Sequence, residues 1–123
     1  MTIAQAPASN SQSFHSLGIA SDLLKRLDEL KFTIPTPIQH KAIPIAVTGE
    51  DLVGIAQTGT GKTLAFSVPM IQRLSSLDKM GLVLLPTREL ALQVDETLKK
   101  IGGPFHMRTV VLIGGQSMQP QIS

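Results

Sequence analysis

No cysteine occurs among the 123 residues, which removes disulfide frameworks, cysteine zinc sites and thiol nucleophiles together. Tryptophan and tyrosine are also absent and only 4 phenylalanines remain. That is too little aromatic surface to stack several bases, so any nucleic acid would be held by its backbone. Charge is scarce: 11 basic against 9 acidic residues leave a formal +2, which is no nucleic-acid footprint by itself. Long hydrophobic runs are missing too. The longest, such as residues 110–113, are strand-sized, far below the ~18 residues of a membrane-spanning helix. Residues 1–13 contain no Lys or Arg and no apolar run, so they are not a secretory signal. Their Ala, Ser, Gln, Asn and Pro content reads as a disordered tail. The expectation is a cytoplasmic chain with no membrane segment, folded over residues 14–123.

What is present alternates between helical and strand patterns. Leu23, Leu24, Leu27 and Leu30 lie at helical spacing behind Ser21, a candidate cap. Two prolines in residues 31–37 stop that helix, because each biases its predecessor away from helical dihedrals. Pro37 suits the first position of a new helix over 38–43, with Thr36 as its cap. Pro44 breaks or kinks it, and Gly49 marks the turn out. Residues 51–56 read as a short buried strand, followed by a Gly- and Thr-rich loop. A helix from Gly61 to about Leu74, kinked at Pro69, comes next. Residues 82–85 are a second buried strand. Over 87–101, Leu90, Val94, Leu98 and Ile101 form one helical stripe, Asp95/Lys99 and Glu96/Lys100 are four-residue ion pairs, and Gly102-Gly103 end the helix. Residues 109–113 are a third strand, with Gly114-Gly115 directly after it. Alternating helices and continuously apolar strands predict a parallel α/β sheet.

The sharpest chemistry lies in Ala56-Gln57-Thr58-Gly59-Thr60-Gly61-Lys62-Thr63. A strand feeding a loop that opens a helix brings free backbone N–H groups and the positive helix end to one point. Gly59 and Gly61 let the backbone approach an oxyanion closely. Lys62 is placed to reach the β- and γ-phosphates, and the Thr63 hydroxyl to bind Mg²⁺. The first glycine of the general pattern is Ala56 here, which the loop tolerates if that position is extended. The three histidines, His15, His40 and His106, fall at no metal-ligand spacing. A phosphate loop alone indicates a nucleotide without saying which. A kinase or transport ATPase stays open at this point.

The flanks narrow the choice. Phe14, then Phe32 with Pro35-Thr36-Pro37-Ile38-Gln39, then residues 56–63, then Pro86-Thr87-Arg88-Glu89-Leu90-Ala91, then Gly114-Gly115 stand in the order and spacing of the DEAD-box ATP-dependent RNA helicases. The chain resembles that family from Phe14 to its last residue. The resemblance implies the N-terminal part of a RecA-like first lobe: an α/β, parallel-sheet P-loop NTPase fold truncated after its third strand. It implies ATP and Mg²⁺ as cofactors. Gln39 would read adenine, whose N6 and N7 edge matches an amide, Phe32 would lie against the ring, and Phe14 would pack beneath. Thr36, Gln57, Thr58, Gly59, Thr60, Gly61, Lys62 and Thr63 would complete the nucleotide site, with Lys62 and Thr63 serving catalysis. Pro86, Thr87, Arg88, Gly114 and Gly115 would touch the RNA backbone without reading sequence. The family usually has glycine where this chain has Lys31, so the local backbone angle is where the two depart.

The family's Asp-Glu-Ala-Asp box, Ser-Ala-Thr motif and second-lobe arginine fingers do not occur in these residues. Phosphoryl transfer needs those roles filled. The expectation is therefore a helicase part that binds nucleotide without efficient hydrolysis. The alternative is a non-catalytic nucleotide- or RNA-binding product that associates with itself or with a full-length helicase. In the family's lobe, the strands carrying the acidic box and coupling motif separate the phosphate-loop strand from the one before Pro86. Unpaired edges left in their place favour self-association.

Overall fold

The computed structural model describes residues 2–4, 13–57 and 61–114. Four α-helices carry the packing: α1 (Ser21–Glu29), α2 (Pro37–Ala46), α3 (Lys62–Ser75) and α4 (Arg88–Gly102). Two short strands, β1 (Thr2–Ala4) and β2 (Val53–Ile55), pair in parallel. Single 3₁₀ turns cover Phe14–Ser16 and Gly103–Phe105.

Helix α3 packs against α2 on one side and α4 on the other, and α1 closes over α4. Their apolar stripes meet in one core: Leu23 and Leu27 of α1, Ile43 of α2, Val68 and Ile71 of α3, and Val94, Leu98 and Ile101 of α4. Phe14 and Leu17 fill the same core from the first turn. Two hydrogen-bond ties fix the entry to α1. The Gln72 amide accepts from Ala20 N–H at 2.8 Å and donates to the Gly18 carbonyl at 3.2 Å. Arg26 Nε donates to the Lys100 carbonyl at 2.8 Å, joining α1 to the end of α4.

Helix ends follow their sequence signals with instructive exceptions. Pro37 opens α2 behind Thr36, as expected, but the helix runs through Pro44 to Ala46. Helix α3 likewise continues through Pro69, because a buried apolar face outweighs the one hydrogen bond each proline removes. Ser21 is the first residue of α1 rather than its cap; Ala20 holds that position without a side-chain bond. Thr87 does cap α4, its hydroxyl accepting from Leu90 N–H at 3.1 Å. Both anticipated ion pairs form, Lys99–Asp95 at 2.9 Å and Lys100–Glu96 at 3.7 Å. Helix α4 ends at Gly102 with Gly103 as its C-cap, as expected, although Gly103 keeps right-handed dihedrals. The chain adds the 3₁₀ turn first, and His106 takes φ +62°.

Helix α1 ends in a Schellman motif. Phe32 N–H donates to the Leu27 carbonyl and Lys31 N–H to Asp28, both at 2.9 Å, the paired bonds that require a left-handed residue between them. That residue is Lys31, at φ +66°. The backbone angle that glycine normally supplies is therefore kept, with a side chain on it.

Two corrections concern strands. Residues 82–85 and 109–113 belong to no strand ladder among the described residues. Their side chains alternate instead of being buried throughout: Leu82 and Leu84 are 80% and 83% exposed, Val110 and Leu112 are exposed too, while Val83 and Leu85 pack on the core. A parallel strand is buried on both faces only where both are covered, and α3 and α4 cover one. The tail reading of residues 1–13 is corrected at Thr2–Ala4. Thr and Ile favour extended backbone, and the open edge of β2 offers a template for pairing. The rest of that tail, residues 5–12, lies outside the described residues. No described helix is long and apolar enough to cross a membrane.

Candidate nucleotide site and its surroundings

Strand β2 ends one residue before Ala56, and α3 begins at Lys62, so the Gly- and Thr-rich loop joins a strand to a helix as the motif requires. Thr58, Gly59 and Thr60 lie outside the described residues. Ala56 is not among the residues with positive φ, so alanine meets no strain in place of the pattern's first glycine. It packs on a second, smaller core made by Ile38 and Ala42 of α2 with Ala65 of α3. On the same side, the backbone of Gly54 faces Ile38; a Cβ there would stand 3.3 Å from Ile38 Cδ1. The loop's two supports are thus locked to α2.

Gln39 sits where those supports meet. It is 3% exposed, which excludes an ordinary solvated helix residue. Its Oε1 accepts from Thr36 N–H at 2.9 Å, and its Nε2 donates to the Gly61 carbonyl at 3.1 Å. The first bond is half of a capping box, in which a residue three positions into the helix reaches back to the cap. Thr36-x-x-Gln39 was a legible signal for it. The second bond, which no local pattern announces, spans from α2 to the first residue before α3. Gly61 holds φ +85°, and a Cβ there would collide with Gln39 Nε2 and lie 2.9 Å from Thr36 Oγ1. Glycine is required at this position by both dihedral and space.

The structure therefore brings Thr36, Gln39 and Gly61 together, directly beside Lys62 and Thr63. Lys62 is exposed and Thr63 partly buried. The N-terminus of α3 has no side-chain cap and no acidic residue in its first turn, leaving N–H groups and positive partial charge available to an anion. A phosphate group fits this donor set. Among the described residues no cluster of His, Asp or Glu could hold a metal. Gln57 is exposed at the loop's entry. Phe32 is partly open to solvent, whereas Phe14 is buried in the main core and can support the site only from beneath.

A second constellation joins the ends of two extended segments. Arg88 Nη2 donates to the Gly114 carbonyl at 2.8 Å. Pro86, Thr87, Arg88 and Gly114 are all exposed, and a Cβ on Gly114 would meet none of the described residues within 4 Å. Gly115 lies outside the described residues. Segments 82–85 and 109–113 thus deliver their carboxyl ends to one place, the side on which open α/β sheets bind ligands.

Comparison with known proteins finds relatives of this chain and folds like it. The family model described as DEAD/DEAH box helicase matches residues 36–123. The ATP-dependent rRNA helicase RRP3 of Debaryomyces hansenii is 46% identical over 112 residues, covering 89% of this chain and 24% of the relative. RRP3 of Lodderomyces elongisporus is 48% identical over 112 residues, 89% of this chain and 22% of the relative. The chain therefore spans under a quarter of these relatives. Among solved structures, the RNA helicase Prp28 of Chaetomium thermophilum bound to ADP superposes with a TM-score of 0.78 at 33% identity, covering 96% of this chain and 29% of that one. A DEAD box protein of the hyperthermophile Methanococcus jannaschii superposes at 0.81 with 34% identity, 89% of this chain and 31% of that one. The architecture is accordingly that of a RecA-like α/β domain.

Proposed function

Because the chain belongs to the DEAD/DEAH box helicase family, we propose that it is the ATP-binding part of an RNA helicase coupling ATP binding and hydrolysis to RNA unwinding or remodelling. The observation that carries this reading is the Gln39–Gly61 hydrogen bond, which ties the adenine-reading position to the phosphate loop. In this reading, Gln39 selects adenine, Phe32 covers its ring and Phe14 and Thr36 support the pocket. Gln57 and residues 58–61 wrap the phosphates, Lys62 neutralises their terminal charge, and Thr63 holds Mg²⁺. Pro86, Thr87, Arg88, Gly114 and Gly115 lie along the RNA backbone. The cytoplasm is the proposed place of action. These 123 residues contain no acidic box, so alone they bind ATP without efficient turnover.

Titration with fluorescent ATP and GTP analogues tests the assignment. The chain should prefer the ATP analogue, and Lys62→Ala should weaken it about tenfold to a hundredfold, the range for one charge-assisted contact. Gln39→Ala should bring the two analogues to equal affinity. Unchanged affinity in Lys62→Ala means the loop is not assembled, and RNA-stimulated phosphate release by the chain alone would refute the binding-only reading.

A further inference from the structure

Helix α1 has no start signal of its own. Its cap, Ala20, makes no side-chain hydrogen bond, so the first N–H groups of the helix depend on partners from elsewhere. Gln72 of α3 supplies one. Its Oε1 accepts from Ala20 N–H at 2.8 Å while its Nε2 donates to the Gly18 carbonyl at 3.2 Å, so one planar amide grips the entry to α1 at both ends. The turn that presents that carbonyl uses Gly18 at φ +83°, where a Cβ would stand 3.4 Å from Val47 Cγ2. The core contacts of Leu23 and Leu27 are non-directional. The polar ties are what fix α1 along its axis: Arg26 to the end of α4, and Gln72 at the first turn. Nine residues, about 14 Å of helix, separate that first turn from the end of α1. There Phe32 N–H donates to the Leu27 carbonyl, so Phe32 leaves as an extension of the last turn. Its ring is 37% exposed, and its position therefore follows that of α1. Helix α3 thus reaches the base side of the site twice, through Gly61 at its start and through Gln72 toward its end.

We propose that Gln72 is a positioning residue for base recognition: by fixing the first turn of α1 to α3, it sets where Phe32 stands, and so governs affinity for the adenine part of the nucleotide and not for its phosphates. The role in base recognition rests on the nucleotide reading above; the placement of Phe32 by Gln72 does not. The phosphates have a separate support in the Gln39–Gly61 bond and the N-terminus of α3, which loss of the Gln72 amide leaves in place. Without that amide α1 is freer to shift along the core, and ordering Phe32 becomes an added cost of binding the base.

Gln72→Met tests this, because methionine keeps the length and helix preference of glutamine while removing both hydrogen bonds. With Mg²⁺ present, the fluorescent ATP analogue should bind this variant about fivefold more weakly than the intact chain, the low end of site-to-site coupling. Inorganic tripolyphosphate, which has no base, should bind the two equally by calorimetry. Equal weakening toward ATP and tripolyphosphate marks a general loss of structure and overturns the role; unchanged ATP affinity overturns it too. A second measurement needs no nucleotide. Tryptophan is absent from the chain, so Phe32→Trp introduces a single reporter at the position in question. Its emission should move to longer wavelength, and acrylamide should quench it more, when Gln72→Met is added; identical emission and quenching overturn the placement. If Gln72→Met loses its helical circular dichroism, Gln72→Glu takes both measurements, since it keeps the acceptor for Ala20 N–H and removes the Gly18 bond alone. A tryptophan response with no binding of ATP or tripolyphosphate by the intact chain keeps the placement and refutes the nucleotide reading, so the two failures are separable.

Discussion

At the scale of single residues, two left-handed positions carry opposite lessons. Gly61 cannot be replaced, because dihedral and packing both exclude a side chain: its Cβ site is filled by Gln39 and Thr36. Lys31 takes the same backbone region at φ +66° with no such necessity, since its two Schellman hydrogen bonds need only the backbone. An L-residue there costs about 1–2 kcal/mol relative to glycine. Lys31→Gly should therefore stabilise the chain by about 1 kcal/mol, after part of the gain is lost to glycine's unfolded-state entropy. Urea denaturation checks it: the midpoint should rise with an unchanged slope, and a fall would mean the Lys31 side chain makes a contact that matters more than the strain.

At the scale of elements, α4 is the most completely specified. Its apolar stripe and both ion pairs are present as the residues suggest, and Thr87 caps it. Thr87→Ala should cost about 1 kcal/mol by leaving Leu90 N–H uncapped, read as a lowered melting temperature; Thr87→Ser should recover most of it. The helices and the phosphate-loop turn were legible because their signals are local: spacing, caps, and glycine before lysine. Gln39 was legible as a helix residue, but its burial and its bond to Gly61 depend on the approach of α2 to α3, which no short window encodes. The strands were legible only as apolar runs. Whether residues 82–85 become a buried strand depends on what lies beside them, and a run of leucine and valine contains no information about its neighbours. β1 was missed for the same reason, since a three-residue pairing has no periodicity to detect.

At the scale of the whole molecule, one face of the α/β layer is left bare. Leu82, Leu84, Val110 and Leu112 share alternating exposure on the side that α3 and α4 do not cover. Burying one such leucine contributes about 1.5–3 kcal/mol and micromolar association needs about 8 kcal/mol, so the self-association expected of the unpaired edges requires several of these four side chains to be buried together. Light scattering should therefore find the chain larger than a monomer at micromolar concentration, and Leu82→Lys with Leu84→Lys should shift it toward the monomer. A concentration-independent monomer before substitution would remove the idea. Gly114, at the end of the same bare layer, offers a final use. Among the described residues no atom outside its chain neighbours lies within 4 Å of where its methyl would go, and its dihedral is not left-handed, so the described part of the fold accepts alanine there. Gly114→Ala should leave the melting temperature unchanged. Any loss of single-stranded RNA affinity it causes is then a steric probe of a molecule outside the chain, reporting how closely a bound strand passes over that turn.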